Sequence, residues 1–162
     1  MHARIKTRPR SCETAAIHDQ VNRSGAGVLL LCTSSRRILL GKRGPDCANA
    51  LTWAPFGGMV EPHENPHEGA LRELYEEAGI RTTLFSRSPI YVNEDIATGF
   101  RFYTFLGLCA REPQVMLNEE SSGYGWFKPY TADMPAPQHP GFAEAIQSAA
   151  VRAWLEPVLT LS

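Results

Sequence analysis

Residues 57–80 read GGMVEPHENPHEGALRELYEEAGI, and the rest of the chain is organised around them. Asn65 is a good helix N-cap, Pro66 suits the first helical position, and Glu68 stands three residues after the cap, as in a capping box. Gly79 is the natural C-terminal stop. The spacing predicts a helix over residues 66–78. At about 100° per residue, Ala70, Leu71, Leu74, Tyr75 and Ala78 share one face, which is expected to pack into a core. Glu73, Glu76 and Glu77 fall together on the opposite face. Like charges at spacings of three and four destabilise a helix by roughly 0.2–0.5 kcal/mol per pair. Glu76 and Glu77 also sit in the last turn, where the macrodipole disfavours anions. Two local rules broken in one turn point to function there.

The surroundings of the cluster separate this reading from a merely solvated acidic face. Gly57-Gly58 reads as a flexible turn whose carbonyls approach a ligand closely. Glu64 adds a carboxylate just before the helix, and Arg72 can form a charge-assisted fork that fixes Glu73. Hard oxygen donors, with no Cys or His in the helical set, suit Mg²⁺ or Mn²⁺ rather than zinc.

The pattern G-x5-E-x7-R-E-U-x-E-E-x-G-U, with U a bulky aliphatic residue, is filled by Gly58, Glu64, Arg72, Glu73, Leu74, Glu76, Glu77, Gly79 and Ile80. With every fixed position matched, the stretch resembles the box of the Nudix hydrolases. The resemblance implies an α/β fold, an α/β/α sandwich with a mixed sheet between helices. It covers residues 24–157 as a single domain, with residues 1–23 as a tail or edge segment. It implies an enzyme that uses Mg²⁺, or Mn²⁺, to cut a pyrophosphate bond in a nucleoside diphosphate linked to another moiety, releasing a nucleoside monophosphate. By the same resemblance, Glu73, Glu76, Glu77 and the Gly58 carbonyl hold metal, Arg72 orients the cluster, and Glu64 and Gly57 support it. The general base stays open between Glu73 or Glu76 and a later loop glutamate, Glu119 or Glu120, with Glu94 and Asp95 behind them. A nucleoside triphosphate pyrophosphatase is the alternative activity, and a non-catalytic nucleotide-binding module is the alternative of another class. The substrate is not named: the proline of the ADP-ribose branch is replaced by Glu94-Asp95-Ile96, and the signatures of the diadenosine polyphosphate and NADH branches are absent.

The whole chain sets outer bounds. Its 162 residues suffice for one domain with a proper core. The net charge of −1 gives no general attraction to nucleic acid or membrane, and no apolar run approaches the roughly 18–20 residues of a membrane span. The expected partner is a small nucleotide-type substrate, the expected location cytoplasmic, and a homodimer is left open. Cys12, Cys32, Cys47 and Cys109 lie far apart and read as reduced thiols. Arg4, Lys6, Arg8 and Arg10 make the N-terminal segment basic.

Outward from the box, residues 25–33 and 38–41 read as a hairpin, 51–56 as a short strand, and 82–92 as a strand followed by a turn at 93–99. Residues 100–110 give the strongest strand signal, 123–129 another. Phe102, Tyr103 and Phe105 read as core, with a base-binding slot open to one of them. The proline-rich residues 131–140 read as a loop, with a lid role open, and 141–155 as one amphipathic helix. His139 reads as a capping residue. Arg43, Phe56 and Trp126 are the expected substrate contacts.

Overall fold

A computed structural model describes residues 23–161. The basic N-terminal segment and Cys12 lie outside the described residues. The apolar run after Arg23 forms β1 (Ser24–Cys32), which turns at residues 33–36 into β2 (Arg37–Arg43). β1 pairs in parallel, residue for residue from Ser24↔Arg101 to Cys32↔Cys109, with β6 (Arg101–Cys109). A strand flanked in this way is covered on both faces, which is why its sequence is continuously apolar rather than alternating.

The two faces of β1 build two cores. Leu29 and Leu31 point with Ile38, Leu40 and Leu106 toward α2 (Pro140–Gln147) and α3 (Ala149–Leu159). Ala26, Val28 and Leu30 point with Phe105 toward Ala70, Leu74 and Ala78 of α1 (Pro66–Ala78). The result is a seven-stranded mixed sheet between helices, the α/β/α layering expected from the sequence. No helix among the described residues is long and apolar enough to cross a membrane.

One edge of β1 is shared by two strands, and this places the site. Leu31 and Cys32 pair with β2, whereas Gly25–Val28 pair antiparallel with β4 (Phe56–Met59). β2 and β4 therefore diverge. β2 goes on to pair with β3 (Trp53–Ala54) and with β7 (Ser121–Phe127). Pro55, which has no N–H for a ladder, separates β3 from β4 where a single strand over 51–56 was expected.

Four local expectations are corrected. Gly57-Gly58 is not a turn: both residues are in β4, paired with Gly27 and Ala26. Residues 82–90 carry only one bridge, Leu84↔Gly107, and the strand, β5 (Tyr91–Glu94), begins after Pro89 and takes in only Asn93 and Glu94 of the expected turn, the rest of which closes where Asp95 N donates to Phe100 O at 2.9 Å. The closing helix is two helices, because the Ser148 side chain accepts from Val151 N and starts a new one. The proline-rich loop is pinned rather than lid-like: Trp53 N donates to Pro137 O at 2.9 Å and His139 N to Trp53 O at 2.9 Å.

Candidate functional site

α1 has the predicted ends. Asn65 Oδ1 accepts from Glu68 N at 2.9 Å, Glu68 Oε2 accepts from Asn65 N at 3.1 Å, and Gly79 is left-handed at φ 70°. Its predicted face is buried at Ala70, Leu74 and Ala78, but two acids join it and Tyr75 leaves it. Glu73 and Glu77 are 5% and 7% exposed, while Tyr75 is 45% exposed and stacks with Arg81. The cause lies in β4. A Cβ on Gly58 would stand 2.6 Å from the Glu73 carboxyl carbon, and Gly57 N donates to Glu77 Oε2 at 3.2 Å. The double glycine is the flat strand surface that lets two helix carboxylates lie against a sheet.

Arg72 ties these acids together. Its guanidinium donates to Glu64 at 2.6 Å, Glu73 at 2.9 Å, Glu76 at 3.1 Å and the Met59 carbonyl at 2.9 Å. The fork holds the Glu64 carboxyl below its ordinary range. Burial pushes Glu73 up to about 7 despite Arg72. Glu77 is pushed well up, first by burial and then by facing Glu120 and Glu73.

Glu120, the last residue before β7, thus joins the cluster; its Oε2 is buried with no hydrogen-bond partner among the described residues. Glu119 is exposed and stays out. A buried oxygen without a donor, beside a second buried carboxylate, is an arrangement that a cation resolves. The all-oxygen donor set fits a hard divalent ion. Among the described residues, only Glu61, His63 and Glu64 bring three potential ligand atoms within 4.8 Å of one another, and there Arg72 already engages Glu64.

Two clefts meet at the divergence of β2 and β4. A small one carries Glu77, Glu120 and Cys47; a larger one of about 540 Å³ opens toward α2. They share Arg43, Ala54, Pro55 and Gly57. Arg43 sits at this seam, its Nε donating to Ala48 O at 2.8 Å. Phe56 is 3% exposed, with its ring filling the space above Gly41, and it lines the small cleft. Trp126 packs on the α1-side core. Glu94, paired with Arg101 at 3.2 Å, and Asp95 line the large cleft at the β5 side, apart from the helix acids. Sequence reasoning missed Asn93 and Phe142 as lining residues, because nothing local marks them. His139 caps α2, its Nδ1 accepting from Gly141 N at 3.0 Å, and also lines the cleft. Cys32 and Cys109 are free, but Cys47 is disulfide-bonded, against the expectation of reduced thiols throughout.

Comparison with known proteins agrees with this architecture. The NUDIX domain profile matches residues 21–155. A Nudix hydrolase structure from M. smegmatis, RenU, superposes with a TM-score of 0.69 at 26% identity, over 86% of this chain and 89% of that one. The m7GpppN-mRNA hydrolase NUDT17 of Bos taurus is 34% identical over 46% of the chain, and diphosphoinositol polyphosphate phosphohydrolase 2 of Rattus norvegicus is 46% identical over 26%. The chain spans only 29% and 24% of the length of these two relatives. The chain belongs to the Nudix hydrolase family.

Proposed function

We infer that the chain is a Mg²⁺-dependent pyrophosphohydrolase, with Mn²⁺ as a substitute, acting on a nucleoside diphosphate linked to another moiety and releasing a nucleoside monophosphate. The observation that carries this reading is the buried pair Glu73 and Glu77, packed against the glycines of β4 and joined by Glu120, whose Oε2 is buried without a donor.

Glu73, Glu76, Glu77 and the Gly58 carbonyl would hold the metal. When bound, a divalent cation neutralises pyrophosphate charge and lowers the pKa of a water. Arg72 keeps Glu73 and Glu76 oriented and, through Glu64, ties the helix to the segment before it. Arg43 stands where both clefts meet and faces the phosphate chain. Glu120 Oε2 takes the proton of the attacking water. The water oxygen bonds to one phosphorus as the anhydride P–O bond breaks, and the electron pair leaves on the departing phosphate.

The test is phosphatase-coupled phosphate release in Mg²⁺ over nucleoside triphosphates, ADP-ribose, nucleotide-sugars and dinucleoside polyphosphates. Metal-dependent turnover of one class is expected. Turnover of none, with ligands still raising the melting temperature, supports a binding module instead.

A further inference from the structure

The central parallel strands end on two cysteines. Cys32 and Cys109 are the last residues of β1 and β6 and stand directly opposite one another in the register. Alternation puts both on the α1 side of the sheet: Val28 and Leu30 lead to Cys32 at even spacing, as Phe105 leads to Cys109. Partners so placed have Cα atoms about 4.8 Å apart, inside the roughly 4.4–6.8 Å that a disulfide spans. Each thiol also reaches across to the other strand's end. Cys32 Sγ donates to Ala110 O, and Cys109 Sγ to Leu31 O, both at 3.8 Å. The turn after Cys32 is tied to the segment after Cys109, because Ser35 Oγ donates to Glu112 Oε1 at 2.6 Å and Arg37 forks onto the same carboxylate. That turn sets Ser34 Oγ 3.4 Å from Cys32 Sγ. The two sulfurs differ in kind. Cys32 is wholly buried and Cys109 partly exposed. Burial works against a Cys32 thiolate, but hydrogen bonds from Ser34 and Ser35 outweigh it and hold the thiol below its ordinary value. Burial first, and then the neighbouring Cys32, push Cys109 up to about 12.

We propose that Cys32 and Cys109 are a redox-convertible pair, which hydrogen peroxide closes into a disulfide that locks β1 to β6. Cys109 is the sulfur that solvent reaches, and Cys32 is the one that resolves it. Cys109 passes its proton to the Cys32 thiolate, and the Cys109 sulfur attacks one peroxide oxygen. The O–O bond breaks, Cys109 becomes a sulfenic acid, and the departing hydroxide takes the proton back from Cys32 as water. The Cys32 thiolate then attacks the Cys109 sulfur. The S–S bond forms as the S–O bond breaks, and a second hydroxide leaves. One thiolate, one thiol and one hydrogen peroxide thus give one disulfide, one water and one hydroxide. Because the resolving sulfur already stands opposite, Cys109 does not go on to the sulfinic acid. The bond closes a long stretch of chain, which restricts the unfolded state more than a short loop would. It lies at the opposite end of β1 from Gly25–Val28, the residues that pair with β4, and so stiffens the sheet without entering the acid cluster.

The experiment treats the whole chain with hydrogen peroxide, unfolds it in guanidinium with N-ethylmaleimide to cap the remaining thiols, and maps tryptic peptides by mass spectrometry without reduction. In wild type the peptides carrying Cys32 and Cys109 are expected to be joined, and dithiothreitol is expected to return both as free thiols. The oxidised protein is expected to melt roughly 5 °C or more above the untreated one. Cys32→Ala keeps the buried position apolar and removes the resolving sulfur, so Cys109 is expected to pass on to the sulfinic acid. Cys109→Ala is expected to leave Cys32, which solvent does not reach, unoxidised. Recovery of both wild-type sulfurs as maleimide adducts, over-oxidation of Cys109 in wild type as in Cys32→Ala, or a bridge from either sulfur to Cys12 or Cys47 overturns the pair. A joined pair with no rise in melting temperature overturns the lock. The wild-type map decides the pairing even where a variant fails to fold.

Discussion

Replacing Gly58 by alanine separates the two tasks of the double glycine. The new Cβ would stand 2.6 Å from the Glu73 carboxyl carbon and 2.7 and 2.8 Å from its oxygens. Carbon contacts are comfortable at about 3.5–4.0 Å, so the carboxylate must retreat by about 1 Å. It is the far end of a flexible side chain and can do so. Overpacking is therefore relieved, and the lower entropy of the unfolded alanine chain offsets part of what remains, leaving stability within about 1 kcal/mol of wild type. The site is less forgiving, since a displacement of about 1 Å at a catalytic group can cost on the order of 10²-fold in rate. Gly57→Ala is the control. Its Cβ would meet Ala26 O at 2.6 Å and Gly27 Cα at 2.7 Å, which are backbone atoms and cannot step aside. That variant is expected to lose about 1–3 kcal/mol. Urea denaturation and Mn²⁺ titration on both variants decide the matter: Gly58→Ala keeps its midpoint and loses metal affinity, and Gly57→Ala loses its midpoint. A Gly58→Ala protein with wild-type metal affinity, or one as destabilised as Gly57→Ala, refutes the reasoning.

In EDTA, the folded protein holds a proton on Glu73 where the unfolded chain has released it, so stability falls as pH rises from about 4.5 to about 7; Glu77 acts in the same direction. Thermal melts at stepped pH should show this decline, on the order of 3 kcal/mol from Glu73 alone, and saturating Mg²⁺ should flatten it. Glu120→Gln should raise the melting temperature of the metal-free protein at pH 7 by removing one of two facing carboxylates, while lowering turnover by roughly 10²–10⁴-fold. Arg72→Ala should cost about 3 kcal/mol in urea unfolding, because Glu64 and Glu73 lose their buried counter-charge. Ser148→Ala removes the cap that starts α3 and should cost about 1 kcal/mol with no change in metal affinity.

The box helix was legible to the residue because capping is local chemistry: Asn65, Pro66, Glu68 and Gly79 carry their own instructions. β1 and β6 were legible because a strand buried on both faces has no polar alternation to misread. The apolar part of the buried face of α1, Ala70, Leu74 and Ala78, was legible too, but the burial of Glu73 and Glu77 was not, since hydrophobic periodicity cannot foresee two carboxylates packed on a glycine strand. That outcome depends on Gly57 and Gly58, which pair with β1 across a long sequence separation. Glu120 was separable from Glu119 only in three dimensions, where one turns into the cluster and the other faces solvent. Phe102 gave the same signal as Phe105. Alternation along β6 sends the first to the cleft and the second to the core, and no local rule says which face is which. The break at Ser148 was readable as an N-cap but was masked by apolar spacing that continues across it.

The most direct measurement compares nucleotide hydrolysis in Mg²⁺ by wild type and by Glu77→Gln, with the folding of each checked by thermal melt. Glu77 is the buried acid that meets both Gly57 N and Glu120. The account predicts a Glu77→Gln protein at least as stable as wild type and without metal-dependent turnover. A folded Glu77→Gln protein that hydrolyses the same nucleotide at the wild-type rate contradicts it.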